Sequence, residues 1–522
     1  MRDKTSAQTS KPAPPGDRGG VLEQSGTFIP PLFLAAVAFW RSTSLPAGTA
    51  ALLGCLLGLL LLCGCKVDQR KEIETYRQVT RIDDEVAAYD PGTPLTLRRA
   101  MLLTNQVDES LASRGEQYLQ SIIQQRRAIA SFLPTVDLVP VYSRRERVSS
   151  SSSGTTGDGD SGDDGGSTGG GSSPSATFDA PVQGSINLFN GFSDLNRARR
   201  DDFVVRQRRF ELTNAQEQVL LDAASVFYQV LRSEASVRVL ESALQLQAER
   251  LRDARVRLEA GIANALVASQ TEAQIAQTQS TLISARNDVV QARSRLRLLT
   301  DAEVEAAVLV DTLTPPEPPP LNEWMGQAYG NRDDLRATSE AVTAAAYDVR
   351  AAIGQYYPSV TLDVTAYLYR ESTPTARSWD GALRANLPIL SGGRIEADVR
   401  ERWSFLRQAL LSRNLTSRTI RADVEQAHAA FAASTQRLAQ LQVQVRVAGE
   451  ALRQAEEQFR AGIATNLDRI QAQDAAIQAG LQLASEEFDR KLFYLTLLQR
   501  AGVLREQFEP GATTRPAAGA IN

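Results

Sequence analysis

The chain has 522 residues, 43% of them hydrophobic but only 6% aromatic. It can bury a large core, yet its richness in Ala, Leu, Gln, Arg and Glu points to long helices rather than a globule. A formal net charge of −4 gives no electrostatic case for nucleic acid, and one histidine with no cysteine after Cys65 leaves zinc and thiol chemistry without ligands in the body of the chain.

From the N-terminus, residues 1–64 are read as an extension and export signal. Met1 to Trp40 is a Pro-rich head with its own apolar patch, Leu32 to Trp40. After Arg41 comes the apolar run Ala50 to Gly64, ending in Leu62-Cys63-Gly64-Cys65. That ending resembles the lipobox of bacterial lipoproteins, with a leucine three residues before the cysteine and a small residue just before it. The resemblance implies cleavage at Cys65 and its acylation; the alternative is a plain signal-anchor helix. Residues 65–94 form a linker segment.

The rest of the chain is doubled. Leu258 to Leu266 (LEAGIANAL) returns as Phe459 to Leu467 (FRAGIATNL), a shift of 459 − 258 = 201. Phe189-Asn190-Gly191 maps onto Leu390-Ser391-Gly392, and Phe178 onto Trp379, with the same shift. Upstream, Phe132-Leu133-Pro134-Thr135-Val136 matches Tyr356-Tyr357-Pro358-Ser359-Val360 at 358 − 134 = 224, so the first copy carries 224 − 201 = 23 extra residues. The two copies span 95–300 and 323–504, with a Pro-rich linker at 301–322 and a tail at 505–522.

In the first copy Val136 and Leu138 begin a strand that Pro140 weakens by removing a ladder donor. Ser149 to Ser175 is almost wholly Ser, Gly, Thr and Asp and has nothing to bury, so it is a solvated loop. Asp158, Asp160, Asp163 and Asp164 lack the ordered spacing and terminal Glu of a calcium loop. Phe178, Ala180, Val182, Gly184, Ile186 and Leu188 make the second strand. A helix then runs from Ser193 to Ala260, on the order of 100 Å. Val237, Leu240, Leu244, Gln247, Leu251, Ala254 and Leu258 give it a heptad seam. Glycine suits the positive φ of the helix stop, so Gly261-Ile262-Ala263-Asn264 forms a hairpin tip.

Pro315 to Pro320 is a stiff linker between the copies. In the second copy Val360, Leu362, Val364, Ala366 and Leu368 face one way and Thr361, Asp363, Thr365, Tyr367 and Tyr369 the other. The partner strand runs through Trp379, Gly381, Leu383, Ala385, Leu387 and Ile389. His428 sits in an Ala-rich helical stretch and reads as a packed or solvated residue. The seam recurs at Leu438, Leu441, Val445, Ala448, Leu452, Ala455 and Phe459, with alanine for its one polar member. The second tip is Gly462-Ile463-Ala464-Thr465-Asn466, with Thr465 or Asn466 able to cap the returning helix and Asp468 placed to complement its macrodipole.

The fold class is therefore mainly α, two long coiled-coil hairpins plus four strands of about ten residues, a length that crosses a bilayer when tilted. Lipid tolerates strands only in a closed barrel, and the smallest common barrel needs about eight. Four strands cannot close alone; a dimer or trimer that pools them satisfies every backbone group. Packing of four isolated strands into a soluble sandwich would make a poor core.

At this point the residues resemble the TolC family of outer-membrane efflux channels, closest to its acylated branch. The likeness covers about Leu95 to Leu504 and rests on Leu95-Thr96-Leu97-Arg98-Arg99-Ala100, both strand entries, and Leu387-Pro388-Ile389-Leu390-Ser391-Gly392-Gly393-Arg394. It implies a homotrimer with a pooled outer-membrane barrel and a periplasmic helical tunnel, lipid-anchored as well as spanning, without enzyme activity or cofactors. It further implies an inner-membrane pump, small-molecule cargo such as drugs or metals, and a periplasmic adaptor docking on Gly261, Ile262, Ala263, Asn264, Gly462, Ile463, Ala464 and Thr465. Family channels narrow at an acidic ring just after the second tip, which corresponds to Asp468 here. Val267 stands where the first copy of the family has an acid, and Ala464 replaces a basic residue that some members use in closure. A channel for secreted proteins would use the same fold. A periplasmic adaptor or structural lipoprotein, the reading from a different class, would have one hairpin flanked by small β domains.

Overall fold

The computed structural model describes residues 68–82, 89–145, 175–261, 264–370 and 378–508. Cys65 and everything before it, residues 146–174 of the loop region, Ile262, Ala263 and the tail beyond 508 lie outside them. Ser175, assigned to the loop by composition, is instead the first residue of a strand.

The segment before the first copy holds α1 (Gln69–Thr80); the first copy runs β1 (Leu95–Thr96), α2 (Leu97–Val107), α3 (Glu109–Ala130), β2 (Thr135–Leu138), β3 (Val141–Arg145), β4 (Ser175–Asn190), α4 (Ser193–Glu259) and α5 (Ala265–Thr300). β5 (Leu309–Val310) lies in the interrepeat linker, and the chain goes on through α6 (Leu321–Asn331), α7 (Asp333–Ile353), β6 (Ser359–Arg370), β7 (Trp379–Asn386), α8 (Arg394–Arg460) and α9 (Asn466–Arg500) of the second copy. α4 and α8 are each 67 residues long and start 394 − 193 = 201 apart. The left-handed residues keep the same interval: Gly191 and Gly392, Phe192 and Gly393, Gly261 and Gly462, Asp301 and Gly502. α3 and α7 start 333 − 109 = 224 apart. Both shifts in the sequence are thus shifts in the backbone.

The seam holds each hairpin together. Leu240, Gln247 and Ala254 are buried and Val237, Leu244 and Leu251 half-buried; Leu258, next to the tip, is exposed. Gln247 is 1% exposed; its amide nitrogen donates to Thr278 Oγ1 across the hairpin at 3.0 Å, while its Oε1 is buried without a partner among the described residues. Halfway along the helices lies the main core, where Phe227 and Tyr228 of α4 and Phe431 of α8 are almost fully buried with Leu296 of α5 and Leu495 of α9. The interrepeat segment crosses this level. β5 pairs in parallel with β1, Arg490 donates to the carbonyls of Pro315 and Pro316 at 3.3 Å, and His428 Nε2 meets Pro319 O at 2.9 Å. His428 is a packed residue. Among the described residues no helix is long and apolar enough to cross a membrane.

The sheet is antiparallel, in the order β2-β4-β6-β7, and β3 continues the line of β2 along β4. Pro140 causes the break, while Val139 still donates to Pro181 O at 3.0 Å. Opposed residues share a face, so the register aligns Val136, Gly184, Val364 and Gly381 in one apolar row and Leu138, Val182, Ala366 and Trp379 in the next. The other face carries Asp137, Gln183, Thr365 and Asp380 in one row, and Asp363, which binds Arg384 at 3.1 Å and Ser185 Oγ at 2.9 Å.

Two departures from simple alternation change the faces. Ala180 pairs with Tyr369 but Pro181 with Tyr367, so Leu368 is an extra residue in β6. This bulge turns Tyr369 onto the apolar face, against the alternation expected from sequence, and there it packs on Phe178 with centroids 5.9 Å apart. A second bulge at Leu188 puts Phe189 opposite Val360 on that same face. Aromatic rings therefore bracket the apolar band at both ends, as at the two interfaces of a bilayer. β7 ends at Asn386, short of the Ile389 expected from sequence, because Pro388 follows.

Where β4 meets α4 two backbones nearly touch. A Cβ on Gly191 (φ 66°) would lie 2.0 Å from Gly354 O, and one on Gly354 2.3 Å from Ser193 Oγ. Only glycine fits such an approach. Gly392, the twin of Gly191, has nothing within 4 Å.

Candidate functional site

The second tip is built by its own sequence. Gly462 takes φ 73°; its N–H donates to Phe459 O at 3.1 Å, while Ile463 and Ala464 both donate to Gln458 O, at 2.9 and 3.2 Å. These bonds occupy carbonyls that the end of α8 would leave orphaned. Thr465 caps α9. Its Oγ1 accepts from Asp468 N at 3.2 Å and its N–H donates to Asp468 Oδ2 at 2.8 Å, a reciprocal capping box. The Thr465 hydroxyl, then its N–H, hold the exposed Asp468 carboxyl below the ordinary value of 3.8. Since the folded value is the lower one, the box is intact at neutral pH and is lost only as acid carries the pH down through it. Replacing Thr465 by valine is expected to speed amide exchange across 466–469 by about fivefold at neutral pH; unchanged exchange would show that the box does not hold the turn.

The first tip differs. Gly261 has φ 70° and Asn264 caps α5 by accepting from Leu266 N at 3.1 Å. Val267 stands at 468 − 201 = 267, so no carboxylate matches Asp468 there. Of the expected tip residues the structure joins Gly462, Ile463, Ala464, Thr465 and Asp468 in one turn and Gly261 and Asn264 in the other, with Ile262 and Ala263 outside the described residues. Ile463, Leu467 and Leu266 are exposed apolar side chains beside these turns.

Sequence reasoning missed the polar joint between the two hairpins. Arg250 of α4, 9% exposed, makes an ion pair with Glu456 of α8 and donates to Gln473 Oε1 of α9. Burial, then the nearby Arg469 and Arg460, push its guanidinium down to about 10, so it stays charged at neutral pH. Asn466 donates to Gln270 Oε1 at 2.8 Å and Gln274 to Asp474 Oδ1 at 2.6 Å, tying α9 to α5. Arg469 donates to Asn466 Oδ1 at 2.6 Å and lies 4.4 Å over the Phe459 ring. Gln247, the polar member of the seam, was the one hint that polar contacts organise this end. Among the described residues no cluster of three or more His, Cys, Asp or Glu side chains could hold a metal ion.

A bilayer-length sheet whose two edges have no partner among the described residues, standing on paired 67-residue helices, fits a membrane channel extended by a helical tunnel. The chain belongs to the outer membrane efflux protein family, whose model matches residues 115–301 and 324–503. The outer membrane efflux protein BepC of Brucella suis biovar 1 (strain 1330) is 26% identical over 331 residues, 62% of this chain and 71% of BepC. In fold the chain is similar to the outer membrane protein VceC of Vibrio cholerae, with a TM-score of 0.66 and 18% identity, covering 78% of this chain and 96% of VceC. It is likewise similar to the Campylobacter jejuni CmeC outer membrane channel, with a TM-score of 0.68 and 14% identity, covering 82% of this chain and 92% of CmeC. The outer-membrane location and efflux-channel fold implied by the sequence resemblance are thereby established. The family is one of channels, not enzymes.

Proposed function

We propose that three copies of this chain pool their strands into one barrel and serve as the passive outer duct of a tripartite efflux system. The observation that carries this reading is the open sheet: among the described residues β2 and β3 pair only with β4, and β7 only with β6, so two edges have no partner. The junction at Gly392 is open in the same sense. Its twin Gly191 is closed by Gly354 of the other repeat, whereas Gly392 meets nothing within 4 Å in the single chain and is free to take a neighbouring copy. Two copies would give eight strands, a barrel whose interior side chains fill it; twelve strands leave a lumen. The repeats at 95–300 and 323–504 then alternate around the pore, and acylation at Cys65 adds a second membrane attachment.

In this reading cargo is small molecules delivered by an inner-membrane pump. The tips, Gly261 to Asn264 and Gly462 to Thr465, receive a periplasmic adaptor, with the exposed Ile463, Leu467 and Leu266 as its apolar contacts. Asp468 keeps its charge at neutral pH, and three copies of it at the narrow end would favour cations. Planar-bilayer recordings test this directly. The assembled protein is expected to conduct without an energy source, and Asp468→Ala to lower cation preference. A silent bilayer contradicts the duct; an unchanged preference returns Asp468 to its capping role alone.

A further inference from the structure

Four arginines stand at matching positions below the sheet, one on each helix that joins it. Arg126 of α3 and Arg350 of α7 are twins (350 − 126 = 224), each nine residues before the first residue of its strand (135 − 126 = 9; 359 − 350 = 9). Arg199 of α4 and Arg400 of α8 are also twins (400 − 199 = 201), and Arg199 lies nine residues after the last residue of β4 (199 − 190 = 9). All four are exposed. Among the described residues Arg126, Arg199 and Arg350 pair with no carboxylate, and Arg400 holds Glu396 at 2.7 Å on the surface.

A chain of ring contacts shows which side of their helices Arg199 and Arg350 occupy. Phe189 lies on the apolar face of the sheet, opposite Val360, and Phe192 packs edge-on against it at 5.2 Å. From Phe192, Arg199 is two helical turns further along the same face of α4, and Phe203 follows it at i+4. Phe203 stacks on Tyr347 of α7 at 5.4 Å, and Arg350 covers the Tyr347 ring at 4.9 Å. Arg199 and Arg350 therefore continue the apolar face downward, not the polar one, and the twin relation places Arg400 and Arg126 likewise.

We propose that these four arginines form a collar that binds the phosphates of anionic phospholipids in the leaflet nearest the helices. Among the described residues the apolar band above them is the part that hydrocarbon can cover, and the collar begins on the order of 10 Å beyond it, at headgroup depth for a side chain that snorkels. Guanidinium groups pair with phosphate through several donors at once, and no opposing carboxylate competes at three of the positions. Side chains on a helix tilt toward its N-terminus, so Arg199 and Arg400, on helices that begin at the sheet, reach toward the membrane and form the upper tier, while Arg126 and Arg350 form the lower one. This inference rests on the reading that the apolar face of the barrel meets lipid.

The test is reconstitution of the full-length chain into vesicles of equal parts phosphatidylcholine and phosphatidylglycerol. Flotation comes first, then detergent extraction and analysis of the lipid that stays bound. Phosphatidylglycerol should be enriched about threefold over phosphatidylcholine at low salt, and less at high salt. The variant R126Q/R199Q/R350Q/R400Q should float equally well yet retain the two lipids in the vesicle ratio, and R199Q/R400Q should lose more enrichment than R126Q/R350Q. The double variants also serve if the quadruple one fails to fold, and arginine-to-lysine replacements should keep most of the preference. A wild-type chain that inserts without enrichment, or enrichment that survives both double variants, overturns the collar. A chain that floats with no vesicle overturns the channel reading and the collar with it.

Discussion

A Gly191→Ala chain is expected to yield almost no folded channel. Gly191 sits at φ 66°, where an L-residue costs roughly 1–2 kcal/mol. The larger part of the effect is steric: the new Cβ would lie 2.0 Å from Gly354 O and 2.8 Å from Tyr357 Cβ. A backbone carbonyl cannot swing aside as a side-chain end can, so α4 and α7 must separate where they enter the sheet, and the combined cost exceeds about 4 kcal/mol. Gly261→Ala is the matched control. It has the same left-handed backbone with nothing within 4 Å, and should cost about 1 kcal/mol and fold normally. Yield of folded protein in detergent, read by far-ultraviolet circular dichroism, separates the two. Gly392→Ala tests the twin: the lone chain has room for the methyl group, so folding should survive while assembly suffers. Equal losses in Gly191→Ala and Gly261→Ala would show that close approach at the junction decides nothing.

Arg250→Ala is expected to loosen the two hairpins from each other. It leaves the Glu456 carboxylate without its cation and the Gln473 amide without its donor in a site where Arg250 is 9% exposed. Removing one member of a buried pair costs about 3–5 kcal/mol, and partial exposure of Glu456 and relief of repulsion from Arg469 and Arg460 reduce this to roughly 2–3 kcal/mol. Amide exchange over 247–254 and 466–474 should rise sharply. Arg255→Ala removes an ion pair to Glu272 in which both side chains are exposed, and should change exchange little. If the two variants behave alike, the buried joint has no special weight.

Much of this architecture is legible in the sequence because local chemistry enforces it. The seam from Val237 to Leu258 and its repetition set the long helices, the glycines at 261 and 462 set their ends, and Pro140 marks where a strand breaks. Asp468 announces its capping box three residues after Thr465. The rest depends on pairing between distant segments. The extra residue at Leu368 exists only relative to β4, so alternation along β6 alone assigned Tyr369 to the wrong face. Arg250 meets Gln473 across 223 residues, and nothing local reveals which faces of the hairpins come together. Gly191 and Gly354 lie on different repeats, and their near-contact follows from how α4 and α7 cross.

Both free edges of the sheet bear on one quantity, the number of chains in the folded particle. Light scattering coupled to size-exclusion chromatography, with the detergent contribution subtracted, measures it directly. The account predicts a protein mass three times that of the single chain, carrying full helical and strand signal. A particle of one chain with the same spectrum would contradict it, because four strands in lipid would then leave two rows of backbone groups without partners.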